Sequence, residues 1–195
     1  MNIKREDREL TKNEITKSAF IFILHWIIEL IIIAVLLFGD KLGSIGETVK
    51  NNAANYVYMT FCLLLLSGIL YFYFLFENKS VLISGKSITM IFTVLDVYLI
   101  LAVLIGAKFH VYARPTAMVA LLIFALLGRR EAIFMNVICA LTTFIIDNFS
   151  TAEMVANNIY SSLFISFSAG MIAIFFFDKA KTRFQVVKIG LAIVV

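Results

Sequence analysis

Three ionisable side chains inside apolar segments are the strongest candidates for chemistry in this sequence. Glu29 and Asp96 lie near the centres of the first and third apolar runs, and His25 precedes Glu29 by four residues. Residues four apart share one face of a helix, so this spacing predicts a hydrogen bond between His25 and Glu29. Because ionisable groups are costly to place at membrane depth, they commonly mark functional sites there.

The three residues allow two interpretations. In the functional one, they form a polar or proton-responsive site at the midplane of a membrane. In the structural one, Glu29 and Asp96 are mostly protonated and hydrogen-bond to neighbouring helices, as single polar residues commonly do in membrane bundles. Protonation is expected in the structural case because charging a carboxyl group in hydrocarbon is costly.

The residue patterns of a hydrolase or a metal centre are missing from the sequence. It has no clustered histidines, no His-Asp dipeptide, no glycine-rich phosphate loop and no nucleophile elbow. Its two His and two Cys are scattered singly and lack metal-ligand spacing. We therefore expect this chain to have no catalytic residues, no metal and no cofactor, and not to be an enzyme. Cys62 and Cys139 lie inside apolar runs and are predicted to be free thiols.

The composition indicates how these residues are positioned. The chain has 195 residues, of which 62% are hydrophobic and 15% charged, and its mean hydropathy is +0.96. Soluble domains are about 45–50% apolar and about 25% charged. We predict an all-α polytopic transmembrane bundle of about six spans, with the start of a seventh at residue 189, and we expect the chain to be a fragment of a longer protein. The predicted spans are 18–38, 57–76, 88–107, 115–127, 132–146 and 159–177.

Several residues predict how the helices begin, end and pack. Thr11 and Glu14 have the spacing of a capping box, so the first helix is expected to begin before its apolar run. Pro115 suits the first turn of a helix, and Gly128 suits a helix end. A stripe of small residues in the last predicted span indicates close helix packing: Ser162, Ser166, Gly170 and Ala173.

The distribution of positive charge predicts the orientation. Of the 17 Lys and Arg residues, 13 fall in the N-terminal segment and in alternate gaps between the apolar runs. The positive-inside rule then predicts a plasma-membrane protein with residues 1–17 as a cytoplasmic segment and 18–195 as the transmembrane domain. The basic residues flank apolar runs and form no continuous stripe, so the expected partner is the lipid bilayer and not nucleic acid.

Outside the membrane, two acidic residues are expected to face two basic ones. Asp147 and Glu153 follow the fifth predicted span, whereas Lys108 and Arg114 lie between the third and fourth. An ion pair between them is predicted to lie at the surface and to contribute little stability.

Two stretches of the chain resemble a known family. They are YARPTAMVALLIFALLGRREAIFMNVICALTTFIID, which begins at Tyr112, and FSAGMIAIFFFDKAKTRFQVVKIGL, which begins at Phe167. The family is the bacterial seven-transmembrane receptors with an intracellular HD hydrolase domain. In it a Pro opens a short helix with a Leu-rich end, an Ala-bearing helix follows a turn, and an Arg precedes a helix-starting Gly by seven residues. The matching residues here are Pro115, Leu126, Leu127, Ala132, Arg183 and Gly190.

The resemblance implies a signalling receptor. Members have an N-terminal span, a large extracellular domain, seven spans and a cytoplasmic HD domain that hydrolyses cyclic di-AMP in a metal-dependent reaction. Residues 39–56 are too few for that extracellular domain, and no family catalytic residue has a position here. We therefore predict the membrane anchor and sensor region of such a receptor. A second copy of the chain, and an HD domain from the same or a neighbouring reading frame, are its expected protein partners.

Two other functions remain open. A chain of this length with short helices and midplane acids also resembles the substrate-capture membrane subunits of bacterial vitamin transporters. The sensor region of a different signalling protein is the third interpretation. An aromatic-rich outer cavity with polar side chains would favour the transporter.

Overall fold

The fold is a bundle of α-helices. The computed structural model describes residues 10–38, 53–149, 155 and 157–179, and within those ranges there is no β-strand, in agreement with the predicted all-α class. A 3-10 turn at Val111–Ala113 joins the fourth and fifth helices. The helices are α1 (Lys12–Phe38), α2 (Ala53–Glu77), α3 (Lys79–Ile83), α4 (Gly85–Lys108), α5 (Thr116–Leu127), α6 (Arg129–Asp147) and α7 (Ile159–Lys179).

The predicted count of about six spans is not confirmed. In the described part of the chain, four helices, namely α1, α2, α4 and α7, are long and apolar enough to cross a membrane. The predicted span 115–127 is α5, which has only 12 residues, and the predicted span 132–146 lies within α6, which has charged residues at both ends. The short helix α3 lies between the predicted spans 57–76 and 88–107. The predicted seventh span, from residue 189, is outside the described residues.

Local sequence determines the helix ends as expected at two places. At the start of α1, the Thr11 backbone N–H donates to the Glu14 carboxylate over 2.9 Å, and the Glu14 N–H donates to the Thr11 hydroxyl over 3.4 Å, so the capping box is formed. Gly128 alone connects α5 to α6, and its φ of +113° lies in a region that L side chains rarely adopt. Pro115 immediately precedes α5.

The apolar core is built by α2 to α7, and α1 lies at its edge. The largest cluster of buried apolar side chains takes members from all six of those helices, for example Phe74, Ile91, Ile123, Met135 and Ile174. Only 17% of the most apolar stretch of α1 is buried, against 28–33% for the other three candidate spans. Helix α1 packs mainly on α4, whereas α5, α6 and α7 pack closely on one another.

The bundle has two ends, which we name by the helices that begin there. The basal end is where α1, α4 and α6 begin, and the apical end is where those helices finish. At the basal end, the Arg130 guanidinium forms an exposed ion pair of 2.5 Å with Glu77, and the Asn78 amide donates to the buried Glu131 carboxylate over 3.0 Å. Arg129 stacks over the ring of Phe175, 4.6 Å from its centre.

Helices α6 and α7 approach each other closely at one glycine. A Cβ added to Gly170 would collide with the side-chain amide of Asn136, whose nitrogen donates to the Phe167 carbonyl over 2.9 Å. The other members of the predicted small-residue stripe are also buried: Ser162, Ser166 and Ala173. The stripe therefore faces the protein interior along α7.

A buried ion pair at the apical end joins several helices. Both terminal nitrogens of Arg114 donate to the Asp147 carboxylate, over 2.6 and 2.7 Å, and the side chains are only 2% and 5% exposed. The guanidinium also donates to the Ser162 hydroxyl over 3.0 Å and to the Ala102 carbonyl over 3.1 Å. One side chain thus joins the start of α5 to α4, α6 and α7.

This arrangement corrects the sequence prediction. Arg114 and Asp147 were expected to form a weak surface pair, but both are enclosed by helices. The enclosure depends on Gly106 in α4, because a Cβ there would lie 2.5 Å from a terminal nitrogen of Arg114. Glu153, the other predicted acidic partner, is outside the described residues.

We expect the buried and exposed ion pairs to differ sharply in their contribution to stability. Arg114→Gln should lower the free energy of unfolding in detergent by about 3–5 kcal/mol, because it leaves the Asp147 carboxylate buried without a counter-charge. The matched control Arg130→Gln, which breaks the exposed pair with Glu77, should cost about 0–1 kcal/mol. Thermal unfolding of the two purified variants measures the difference, and equal losses would contradict the role given to the buried pair.

Candidate functional site

Within the apolar stretch of α1, the polar side chains of His25 and Glu29 point toward the bundle and not away from it. His25 is buried, and Glu29, one turn further along, is partly buried on the same side of the helix. The apolar side chains on the opposite side of α1 are exposed, as expected of a lipid-facing surface: Phe20, Ile23, Leu24, Ile27, Ile31 and Val35. The helical period therefore separates a polar stripe from a lipid-facing one.

His25 pairs with Asp96 instead of Glu29. The Nδ1 atom of the imidazole lies 3.1 Å from Asp96 Oδ2 on α4, and the two side chains are 8% and 14% exposed. The ring also stacks on Phe92, with 5.3 Å between ring centres. The predicted hydrogen bond between His25 and Glu29 is thus replaced by one to a neighbouring helix, where the acid faces the imidazole across the α1–α4 interface.

Glu29 has a separate partner on a third helix. The Ser67 hydroxyl of α2 donates to the Glu29 carboxyl group over 3.1 Å. Closer to the basal end, the hydroxyls of Ser18 and Tyr71 lie 3.0 Å apart and join α1 to α2 again. Polar contacts therefore connect α1 to α2 at two levels and to α4 at one.

A small cavity lies among these residues. It has a volume of about 20 Å³, and its polar lining includes His25, Glu29, Ser67 and Asp96. That volume is close to what one water molecule needs. Two further donors line it without a hydrogen-bond partner among the described residues, the indole N–H of Trp26 and the hydroxyl of Tyr98. The cavity thus offers one water molecule both donors and acceptors.

The chemistry available to this polar cluster is proton binding and hydrogen bonding. Carboxyl groups, an imidazole and hydroxyls from α1, α2 and α4 meet at one point, and a proton on His25 or on either acid would change the contacts between helices. In the part of the chain that the structure describes, no three His, Cys, Asp or Glu residues are grouped so as to hold a metal ion.

The other residues singled out in the sequence lie apart from this cluster. Ala132 is fully buried in the first turn of α6, and Pro115 precedes α5 at the apical end. Cys62 and Cys139 are free thiols in α2 and α6. Arg183 and Gly190 lie outside the described residues.

Sequence reasoning missed the partners of His25 and Glu29. Ser67 on α2 and the Ser18–Tyr71 pair gave no signal, because single hydroxyls in apolar helices are common and often bond their own backbone. The burial of Arg114 gave no signal either, because Lys108 and His110 precede it in a segment that reads as a polar loop, and its acidic partner Asp147 is 33 residues away in the chain.

We expect His25 and Asp96 to be energetically coupled. Asp96→Asn should keep most of the thermal stability in detergent, because the amide preserves size and hydrogen bonding, whereas Asp96→Leu should lower the free energy of unfolding by about 1–3 kcal/mol. A double-mutant cycle of Asp96→Leu with His25→Leu should give a coupling of at least about 0.5 kcal/mol. Thr93→Leu, on an exposed position of the same helix, is the control.

A coupling near zero would contradict the pairing of His25 with Asp96.

The predicted protonation of Glu29 is tested separately by infrared difference spectra of the wild-type chain and Glu29→Gln across neutral pH. A carboxylate band that disappears in the variant would show that Glu29 is charged.

Comparison with known proteins assigns the helical region to a family. The family described as 7TM receptor with intracellular HD hydrolase matches residues 53–195, which include α2 to α7 and leave α1 outside. No curated protein and no solved structure matches the chain. Because the family match covers most of the sequence and agrees with the resemblance found from residue 112 onward, the chain belongs to the family of 7TM receptors with an intracellular HD hydrolase.

Proposed function

We propose that this chain is the membrane-embedded anchor and sensor region of a receptor that controls cyclic di-AMP turnover. The observation that carries the proposal is the family match over residues 53–195. The hydrolysis would be performed by an HD domain, either continuous with this chain or supplied by a neighbouring reading frame. The described residues would contribute anchoring and the response to a signal.

The polar cluster suits a sensor. Helix α1 lies at the edge of the core and outside the family match, and hydrogen bonds hold it to α2 and α4. Polar contacts are directional, so a change in protonation or in a bound molecule at His25 would favour a different packing of α1 against α4. Such a shift is a physical means of passing a signal along the bundle.

The vitamin-transporter alternative receives less support. Pockets that hold drug-sized ligands have volumes of about 300–1,000 Å³. The cavity beside His25 measures about 20 Å³, which suits a single water molecule, and a larger groove between the starts of α1 and α4 has no aromatic residue in its lining. The third interpretation, the sensor region of another signalling protein, would also account for the polar cluster. It differs from our proposal only in the enzyme that the sensor controls.

We further propose that the basal end faces the cytoplasm in the plasma membrane. The basis is the concentration of 13 of the 17 Lys and Arg residues in the segments assigned to that side. This orientation places the end of α7 on the same side as the intracellular HD domain that the family description names.

Cysteine labelling tests the orientation. In a background with Cys62→Ala and Cys139→Ala, we expect His110→Cys at the apical end to react with a membrane-impermeant thiol reagent on intact cells. Asn13→Cys, exposed at the basal end, should react only after lysis. Labelling of Asn13→Cys on intact cells would reverse the assignment.

Isolation from native membranes tests the function. The tagged chain is purified in mild detergent from its host and analysed by mass spectrometry. We expect an HD hydrolase domain in the preparation, either on the same polypeptide or on a second one that copurifies. That preparation should hydrolyse cyclic di-AMP with a divalent metal, whereas the 195-residue chain alone should not. A preparation that contains no HD domain and leaves cyclic di-AMP intact would refute the proposal.

A further inference from the structure

A groove at the basal end opens between α1 and α4. Its volume is about 780 Å³, and its lining contains two lysines, Lys17 and Lys86, and no acidic residue. Ile21 of α1 and Met90 of α4 form apolar parts of the wall. The groove is therefore positively charged, and part of its wall is apolar.

The two lysines are uncompensated in the described part of the chain. Neither has an ion pair or hydrogen bond there, in contrast to Arg130, which pairs with Glu77, and Arg129, which stacks on Phe175. Lys17 crosses the first turn of α4, since a Cβ added to Gly85 would lie 3.0 Å from Lys17 Cε and 3.4 Å from its Nζ. Positive charge is thus concentrated here without a described counter-ion.

The backbone adds to this positive potential. The Ser84 side chain precedes α4 without capping it, so first-turn N–H groups of the helix have no side-chain acceptor at that position. An ammonium beside the positive end of a helix dipole is unfavourable unless an anion lies between them. An anionic group close to Lys17 and Lys86 would therefore be stabilised in the groove.

Apolar residues follow each lysine by one helical turn. Ile21 comes four residues after Lys17, and Met90 comes four residues after Lys86. Because α1 and α4 both run from the basal to the apical end, Ile21 and Met90 lie about 6 Å deeper than the lysines. The two helices therefore present cations at one level and an apolar wall beneath it, which matches an amphiphile with an anionic head and a hydrocarbon tail.

We propose that this groove is a binding site for an anionic phospholipid. The lipid phosphate lies between Lys17 and Lys86, and an acyl chain lies against Ile21 and Met90. Basic residues between helices at a membrane surface are suited to anionic headgroups. The site involves neither the HD domain nor the midplane cluster, so it goes beyond the proposed receptor function and does not depend on it.

Native mass spectrometry of the purified chain in detergent tests the site. Phosphatidylglycerol and phosphatidylcholine are titrated in parallel onto the wild type and onto a double variant, Lys17→Gln with Lys86→Gln. Each lysine is expected to strengthen the binding of phosphatidylglycerol about fivefold, so the double variant should bind this lipid about 25-fold more weakly. Its binding of phosphatidylcholine should change little. Lys17→Arg with Lys86→Arg should keep most of the binding, which shows that the variant positions tolerate substitution.

A matched control separates this site from general attraction to the membrane surface. Lys12→Gln with Lys79→Gln removes two basal lysines outside the groove and should leave phosphatidylglycerol binding within about twofold of wild type. Equal losses in the two double variants, or no loss in the groove variant, would overturn the proposal. Displacement of phosphatidylglycerol by inorganic phosphate at concentrations similar to the lipid would show a free-anion site instead and would also overturn it.

Discussion

The apical ion pair between Arg114 and Asp147 is the interaction on which the arrangement of the helices depends. Helix α5 packs on α6 and α7 and buries Val119, Ala120 and Ile123, and the Arg114 side chain fixes the segment that leads into it. The Arg114 guanidinium holds it there with charge-assisted bonds to α6 and further bonds to α4 and α7. Burying this charge is favourable only because four acceptor contacts replace the lost water, and Gly106 leaves the room for them.

The interface of α1 contrasts with the rest of the bundle. Between α5, α6 and α7, small residues bring backbones together and apolar side chains fill the space, as at Gly170. Helix α1 instead uses hydrogen bonds at Ser18, His25 and Glu29 and exposes most of its apolar surface. Since the lipid is as apolar as those side chains, polar contacts supply much of the specificity of its position. The bundle therefore combines a tightly packed unit with a more weakly attached helix.

The sequence predicted the helices well and their contacts poorly, for physical reasons. Long apolar runs and the capping residues Thr11, Glu14 and Gly128 are local signals, so the six predicted runs between residues 18 and 177 each correspond to a helix. That His25 and Asp96 lie within α1 and α4, away from the helix ends, was also predictable from their positions in the apolar runs. Their pairing did not, because it depends on which helices become neighbours. The burial of Arg114 was mispredicted for the same reason, since Asp147 and Ser162 enclose it only after α6 and α7 have packed.

The brevity of α5 has a consequence for the surrounding lipid. Its 12 residues rise about 18 Å, whereas the hydrocarbon layer of a bilayer is about 30 Å thick. Met118 and Leu122 are exposed on its outer side. The bundle is therefore taller on the side of α1 and α4 than on the side of α5. In a bilayer of uniform thickness, such a difference in height would favour local thinning beside α5 or a tilt of the bundle.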